Sequence, residues 1–345
     1  MMSAHVGARA PLRIGLAGGG SDVEPYCTRY GGHVLNATIT RYAYAFIEPI
    51  AAGQISFHAT DQDAQWVGHV DNLDNVPLAL HLHRGVFLRI ANDFGFPSDR
   101  GIRLTTFADV PAGSGLGTSS TLVVAMVQAL HQYLQLPLGE YDIAHLAYEI
   151  ERFDCALCGG KQDHYAATFG GFNFMEFYND RVIINPLHIR NSTLCELEAT
   201  IVLYFTGVSR QSAHIIDAQR ANILREDPAA LHATHAVKAQ AMVMKQALLR
   251  GDLEAVCTSL RDAWTAKRNM AEQISNSNID SISDVAMSSG AKAGKISGAG
   301  GGGFIFFIVD PMRRHEVVTN LSKLGGEIVP CSFSQRGAES WNMFS

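Results

Sequence analysis

Pro111-Ala112-Gly113-Ser114-Gly115-Leu116-Gly117-Thr118-Ser119-Ser120 is the stretch on which the reading of this chain turns. A strand-like run, 102–110, precedes it, and an almost wholly apolar segment, 121–134, follows. Glycines interleaved with hydroxyl residues at a strand-to-helix junction make a phosphate cradle. Glycine lets backbone N–H groups approach an anion closely, and a helix start adds unpaired donors and the positive end of a dipole. Thr118, Ser119 and Ser120 are placed to cap that helix and to offer oxygens to a magnesium ion. The stretch, Ala112 aside, is therefore expected to bind a phosphorylated nucleotide.

Two familiar phosphate loops are excluded. The P-loop requires a lysine before the final hydroxyl, and no lysine lies between Arg103 and Lys161. The dinucleotide pattern needs a third glycine where Thr118 stands, and an acidic residue about 20 positions on that is missing until Glu140. Two further glycine clusters frame the loop. Gly18-Gly19-Gly20-Ser21-Asp22 follows the apolar run 10–16, and Gly298 to Gly303, interrupted by Ala299, runs into Phe304-Ile305-Phe306-Phe307-Ile308-Val309, a buried-strand signature. Clusters of so entropically costly a residue imply positive φ or close backbone approach.

Working outward, apolar runs at 10–16, 34–50 and 54–60 read as strands. Residues 75–94, 121–134 and 138–153 read as helices, with Gly170-Gly171 ahead of a strand at 172–178. Beyond 191–197 the character changes. A strand at 199–205, helices at 212–225 and 231–249, the segment 277–291 and the last glycine cluster make a second unit. The expected division is a first domain over 1–195 and a second over 196–345. Strands and helices mix without strict alternation, so the fold class is α+β rather than a doubly wound sheet.

Composition narrows the function. The chain has 345 residues, 47% of them hydrophobic and 17% charged, as expected of a two-domain globular enzyme. A net charge of −6 without a basic run argues against nucleic acid or anionic membrane as partners. No apolar stretch of about 18 residues suggests a membrane span, and residues 1–10 lack a signal core, so a cytoplasmic location is expected. Six cysteines over this length read as reduced thiols, Cys155-x-x-Cys158 included. The apolar fraction permits a homodimer without requiring one.

Ala10-Pro11-Leu12-Arg13 near the start, the central loop, and Ser297-Gly298-Ala299-Gly300-Gly301-Gly302-Gly303 near the end together resemble the GHMP small-molecule kinases over about residues 9–309. Arg9-Ala10-Pro11-Leu12-Arg13-Ile14, Gly18-Gly19-Gly20-Ser21-Asp22-Val23, Gly159-Gly160-Lys161-Gln162-Asp163-His164-Tyr165 and Thr206-Gly207-Val208-Ser209-Arg210 are similar to the sugar-phosphate branch. Members of that branch phosphorylate the anomeric oxygen of D-glycero-D-manno-heptose 7-phosphate. The resemblance implies an N-terminal domain like ribosomal protein S5, a ferredoxin-like C-terminal domain, and an active site between them. It implies ATP and Mg²⁺ as cofactors and a product destined for nucleotide-activated heptose and surface polysaccharide.

The resemblance also assigns residues. Asp163, in a loop after a helix, is the catalytic base, and Arg13 binds the transferring phosphoryl group and favours the Asp163 carboxylate. Gly298, Gly300 and Gly301 line the nucleotide side. Thr118, Ser119 and a carboxylate hold the metal; Glu151 is the choice, with Glu149 its competitor. Gly19, Gly20, Ser21 and Asp22 contact the sugar, where this chain departs from the Glu-His-bearing signature of galactokinase. Lys161 and Arg210 are the candidate cations for a distal phosphate. A kinase for a free sugar of the fucose, arabinose or galactose type, and a catalytically inactive sugar and nucleotide sensor, remain rival readings.

Overall fold

Val6–Ala17 forms a strand, β1, that is buried on both faces along nearly its whole length, its mostly apolar sequence interrupted by Arg9 and Arg13. The computed structural model describes residues 5–207 and 212–343. The remaining strands are β2 (Gly32–Ile50), β3 (Gln54–Ala59), β4 (Ala64–His69), β5 (Gly101–Ala108), β6 (Phe172–Phe177), β7 (Val182–Pro186), β8 (Ile201–Phe205), β9 (Ala291–Ile296), β10 (Phe304–Val309), β11 (Glu327–Val329) and β12 (Glu339–Asn342). The helices are α1 (Tyr26–Tyr30), α2 (His81–Phe94), α3 (Thr118–Leu134), α4 (Glu140–Glu149), α5 (Gln162–Phe169), α6 (Asn191–Thr200), α7 (Ser212–Leu224), α8 (Pro228–Arg250), α9 (Leu253–Arg268), α10 (Ser277–Ser289) and α11 (Arg314–Leu321).

The first sheet runs β12-β1-β2-β5-β3-β4, with β6 and β7 branching from β2. The length of β2 allows the branch. Its residues 32–37 pair with β6, and its residues 43–50 pair with β5. Pairing is antiparallel except between β3 and β5. The second sheet, β11-β8-β10-β9, is antiparallel throughout, with the buried β10 inside it. β12 returns from the far end of the chain to pair with β1, so the terminal residues extend the first sheet.

One core joins the two halves. Leu12, Ile14 and Leu35 of the first sheet pack in the same buried cluster as Leu203, Phe304 and Phe306 of the second and Met244 and Leu260 of α8 and α9. Truncating one such side chain to alanine costs about 2–5 kcal/mol, so this shared cluster fastens the two halves to each other. Helix α3 is buried on nearly every face, matching its apolar sequence. Some expected bounds move. The helix read at 75–94 begins as α2 at His81, because Pro77 and short 3₁₀ turns occupy the residues before it. The strand read from 199 begins at Ile201, after α6. Asp163 lies in the first turn of α5 rather than in a loop.

Candidate active site

The register of β1 against β2 shifts between Pro11 and Arg13. Such an irregularity re-aims side chains, and here it also frees the backbone. The Arg13 N–H leaves the ladder and donates to the Leu116 carbonyl in the phosphate loop at 3.2 Å. The Arg13 guanidinium is buried and reaches across the cleft. Its Nε donates to Asp163 Oδ1 at 2.6 Å, and its Nη2 lies 2.5 Å from the same oxygen. Its Nη1 donates to the Gly115 carbonyl at 2.9 Å and to Ser297 Oγ at 3.2 Å. One side chain thus ties together the first strand, the phosphate loop, the last glycine cluster and Asp163.

The loop itself winds through Gly113, Gly115 and Gly117 at φ of +72°, +83° and +80°. Gly117 is the residue that caps α3, and among the described residues no side chain accepts from the helix's first N–H groups. This corrects the expectation that Thr118, Ser119 or Ser120 caps the helix. The opening N–H groups stay available to an anion. A Cβ on Gly117 would stand 3.0 Å from Asp163 Cγ, so the acidic group lies directly over the loop. The last glycine cluster closes the other side. Phe304 N–H donates to the Ser114 carbonyl at 2.9 Å, and a Cβ on Gly303 would come within 2.2 Å of that oxygen.

Glu151 enters the cleft because α4 ends in a π-helical turn, Ile150–Asp154, a local widening that recurs at functional sites. Its Oε2 accepts from Ser120 Oγ at 2.6 Å and from His164 Nε2 at 2.6 Å, and lies 3.3 Å from Arg152 Nη2. Burial would raise this carboxyl's pKa. The Arg152 charge and the His164 and Ser120 hydrogen bonds outweigh it and hold the group well below the usual carboxylate range. Glu149 instead pairs with Arg89 and His145 at the surface, which separates the two competing glutamates.

The cleft is lined by Arg13, Gly20, Asp22, Gly113, Ser114, Gly115, Gly117, Thr118, Ser119, Ser120, Glu151, Asp163 and Gly298 among the residues read from sequence. Asp22 is buried, and it takes the Gln162 backbone N–H at 3.0 Å and the Gly20 N–H at 3.0 Å. Gly19 touches the same corner through its carbonyl.

Several residues read from sequence sit away from the cleft lining, each for an identifiable reason. The Ser21 hydroxyl is spent on the Gly18 and His33 carbonyls at 2.8 and 2.9 Å, and holds the turn. Leu116 packs in the core, and Pro111 is exposed beside the loop without lining the cleft. Gly300 and Gly301 pack on Ile274. Lys161 turns out of the cleft to pair with Glu24 at 3.0 Å and to lie over the Tyr148 ring. Arg210 lies outside the described residues.

Arg152, Gln162, Gln219 and Lys267 line the cleft although the sequence reading assigned none of them. Lys267 is buried, donates to the Gly19 carbonyl at 3.2 Å, and has its pKa pushed down to about 8 by burial, against the opposing charge of Asp22. Its signal was present in the sequence but diluted by the charges around it. Val256, Leu260, Ala263 and Lys267 form the buried stripe of α9, which places a lysine where an apolar residue belongs.

The donor set fits a hard cation. Glu151 Oε1 has no hydrogen-bond partner among the described residues, and Thr118 and Ser119 line the same cleft. One carboxylate with hydroxyls beside an anion cradle is the oxygen environment Mg²⁺ takes when phosphates supply further ligands. No cluster of three or more acidic, histidine or cysteine ligands exists among the described residues.

A two-domain α+β fold whose cleft sets a buried arginine and a half-buried aspartate over a glycine-rich helix start defines a small-molecule kinase. The chain belongs to the GHMP kinases: the family's N-terminal domain model matches residues 81–171 and its C-terminal model residues 244–327. It is 43% identical, over 97% of its length and 98% of the relative's, to D-glycero-alpha-D-manno-heptose 7-phosphate kinase of Campylobacter jejuni. A solved D-glycero-D-manno-heptose 1-phosphate kinase from Bacteroides thetaiotaomicron shares 42% identity, with a TM-score of 0.82, over 99% of this chain and 100% of that one. Lactococcus lactis galactokinase complexed with galactose has the same fold, with a TM-score of 0.78 at 16% identity, over 97% of this chain and 95% of that one. The expected fold class and family therefore hold, and the chain is a phosphotransferase. No helix among the described residues is long and apolar enough to cross a membrane.

Proposed function

We propose that this kinase transfers the γ-phosphoryl group of ATP, with Mg²⁺, to the anomeric hydroxyl of D-glycero-D-manno-heptose 7-phosphate, giving the 1,7-bisphosphate. The observation that carries the chemistry is the Asp163–Arg13 pair at 2.5–2.6 Å above Gly117. The substrate rests on the 43% identity with the heptose 7-phosphate kinase. By the same relation the product feeds nucleotide-activated heptose for surface polysaccharide, in the cytoplasm.

Phosphoryl transfer needs position and charge neutralisation more than covalent help. Arg13 holds Asp163 Oδ1, which leaves Oδ2 to accept the acceptor's hydroxyl proton. As the new O–P bond forms, the bond from the γ-phosphorus to the bridging oxygen breaks and ADP departs. The loop N–H groups and Arg13 meet the negative charge that spreads over the transferring group. Thr118, Ser119 and Glu151 would hold Mg²⁺, which neutralises phosphate charge when bound. Lys161 and Arg210 stand as candidates for the distal phosphate, Lys161 after exchanging its Glu24 partner.

The name of the Bacteroides thetaiotaomicron structure favours a second reading, in which the acceptor carries its phosphate on C1. ADP release with ATP and Mg²⁺ against heptose 7-phosphate, heptose 1-phosphate, mannose 6-phosphate, sedoheptulose 7-phosphate, fucose and galactose separates the two. Phosphorus NMR of the product completes the assay. The proposal expects turnover of the 7-phosphate with a new anomeric phosphate signal, and loss of about 10²–10⁴ of it in Asp163→Asn with nucleotide affinity retained. Selective turnover of the 1-phosphate or of a free sugar refutes the substrate. Near-normal turnover by Asp163→Asn refutes the base.

A further inference from the structure

Two helices of the second domain each carry a polar residue on an apolar stripe, and both residues face the cleft. On α7 the buried stripe is Ile215, Gln219 and Ile223. On α9 it is Val256, Leu260, Ala263 and Lys267. A buried amide or ammonium costs stability unless it is partnered. Gln219 is 5% exposed, yet its Nε2 has no hydrogen-bond partner among the described residues. Lys267 Nζ, with three donor hydrogens, makes one bond among the described residues, to the Gly19 carbonyl.

Gln162 completes the group from the first domain. Its Nε2 donates to Asp22 Oδ1 at 3.2 Å, and a carboxylate can only accept, so the orientation of the amide is set. That leaves Gln162 Oε1 buried without a partner among the described residues. Gly19 and Gly20 bring these groups together. A Cβ on Gly19 would lie 3.6 Å from both Gln162 Nε2 and Lys267 Nζ, and one on Gly20 would lie 3.3 Å from Gln219 Oε1. The glycines replace side chains that would otherwise fill this corner, and Asp163 lines the same cleft.

We propose that Gln162 Oε1, Gln219 Nε2 and Lys267 Nζ form the subsite that reads the hydroxyl groups of the acceptor, with Gln219 and Lys267 as specificity-determining residues. The assignment rests on the kinase reading above and names how it selects its acceptor. The chemistry selects the ligand class. The wall presents two unfilled donors beside an unfilled acceptor and the Asp22 carboxylate. Vicinal hydroxyls both donate and accept, so a polyol satisfies every member at once. A phosphate accepts only, and would face Gln162 Oε1 and Asp22 unfavourably. The wall therefore takes the sugar's hydroxylated body, and the distal phosphate lies elsewhere.

The test is steady-state kinetics of the full chain with each acceptor of the panel, on wild type, Gln219→Leu, Gln219→Glu and Lys267→Met. ATP affinity is measured by calorimetry and folding by thermal midpoint. Lys267→Met is expected to raise the acceptor KM about 10- to 100-fold and Gln219→Leu about 3- to 10-fold, as loss of a charged and a neutral hydrogen bond implies. The ATP dissociation constant is expected to stay within about twofold. Gln219→Glu keeps the side chain's volume and removes the donor, so it is expected to follow Gln219→Leu if donation is what matters. An acceptor analogue lacking the hydroxyl that Gln219 reads should lose less on Gln219→Leu than the parent sugar does. An unchanged acceptor KM, with kcat or the thermal midpoint alone falling, overturns the subsite. If wild type ignores the heptose phosphate but uses another sugar, the substrate proposal fails while the same measurements on that sugar still decide the subsite. No turnover of any acceptor overturns both.

Discussion

Gly117→Ala tests the geometry of the cleft at one atom. Gly117 sits at φ +80° and ψ 24°, in the left-handed region. An alanine there costs about 1–2 kcal/mol in backbone strain. Its Cβ would stand 3.0 Å from Asp163 Cγ and 3.2 Å from Oδ2, inside ordinary contact distance. The carboxyl must recede by a few tenths of an ångström, and it does so against the Arg13 pair that holds it. Gly325 supplies the control. It has φ +78° and ψ 3°, and nothing among the described residues lies within 4 Å of a Cβ built there. At about 2.1 cal/mol/K per residue, unfolding the 345 residues carries roughly 0.7 kcal/mol/K. Both variants should therefore melt about 1–3 °C below wild type. Their activities should part: since about 1 Å of misplacement can cost 10²-fold, Gly117→Ala should lose about 10- to 100-fold in single-turnover rate at saturating ATP. Gly325→Ala should keep the wild-type rate. Equal rates in the two variants would refute the claim that Asp163 is positioned by its contact with the loop.

Two further outcomes concern buried charge. Glu151, whose folded-state pKa lies below its ordinary value of 4.5, contributes stability that is present above that value and is lost as pH falls through the folded one. Glu151→Gln should be less stable than wild type by about 3–5 kcal/mol at pH 7, because Arg152 is left uncompensated. Denaturant titrations from pH 7 to 3 should show that gap narrowing on the acid side, and a constant gap would count against the assignment. Lys267 has the opposite dependence. Its folded-state pKa is lowered from 10.5 to about 8, so the folded state binds fewer protons between those values and wild-type stability gains from this group as pH rises from about 8 to 10.5. Asp22 and Asp163 oppose the shift, while Arg13 and Lys295 face the same corner with like charge. Thermal midpoints of wild type minus Lys267→Met across that window should rise, and a flat difference would show that the ammonium is not desolvated.

Much of the fold was legible because its signals are local. The central loop announced a helix start by glycine next to hydroxyls, and α3 and β10 announced burial by runs with no polar face. Elements with mixed composition were harder to read. In α9, Glu254, Arg261, Asp262, Lys267 and Arg268 dilute the stripe of Val256, Leu260 and Ala263, so its periodicity competes with its charge. The short strand β12 has no apolar run of its own. It is a strand because β1 offers it an open edge from more than 300 positions away.

The candidate site divides along the same line. The sequence alone pointed to a glycine-rich loop at a helix start, a property of residue type at short spacing set by φ freedom and donor geometry. Its resemblance to the GHMP kinases singled out Arg13, Asp22 and Asp163, which the structure brings to one cleft. Only the tertiary structure decided which glutamate enters the cleft, through a π-helical turn that moves Glu151 inward and leaves Glu149 with Arg89. It decided too that Ser21 and Lys161 turn away, and that Gln219 and Lys267 arrive from helices of the second domain. The reason is physical: whether a polar side chain finds a nearer partner or stays unfilled at a cleft depends on what the fold brings to it, and no spacing along the chain records that.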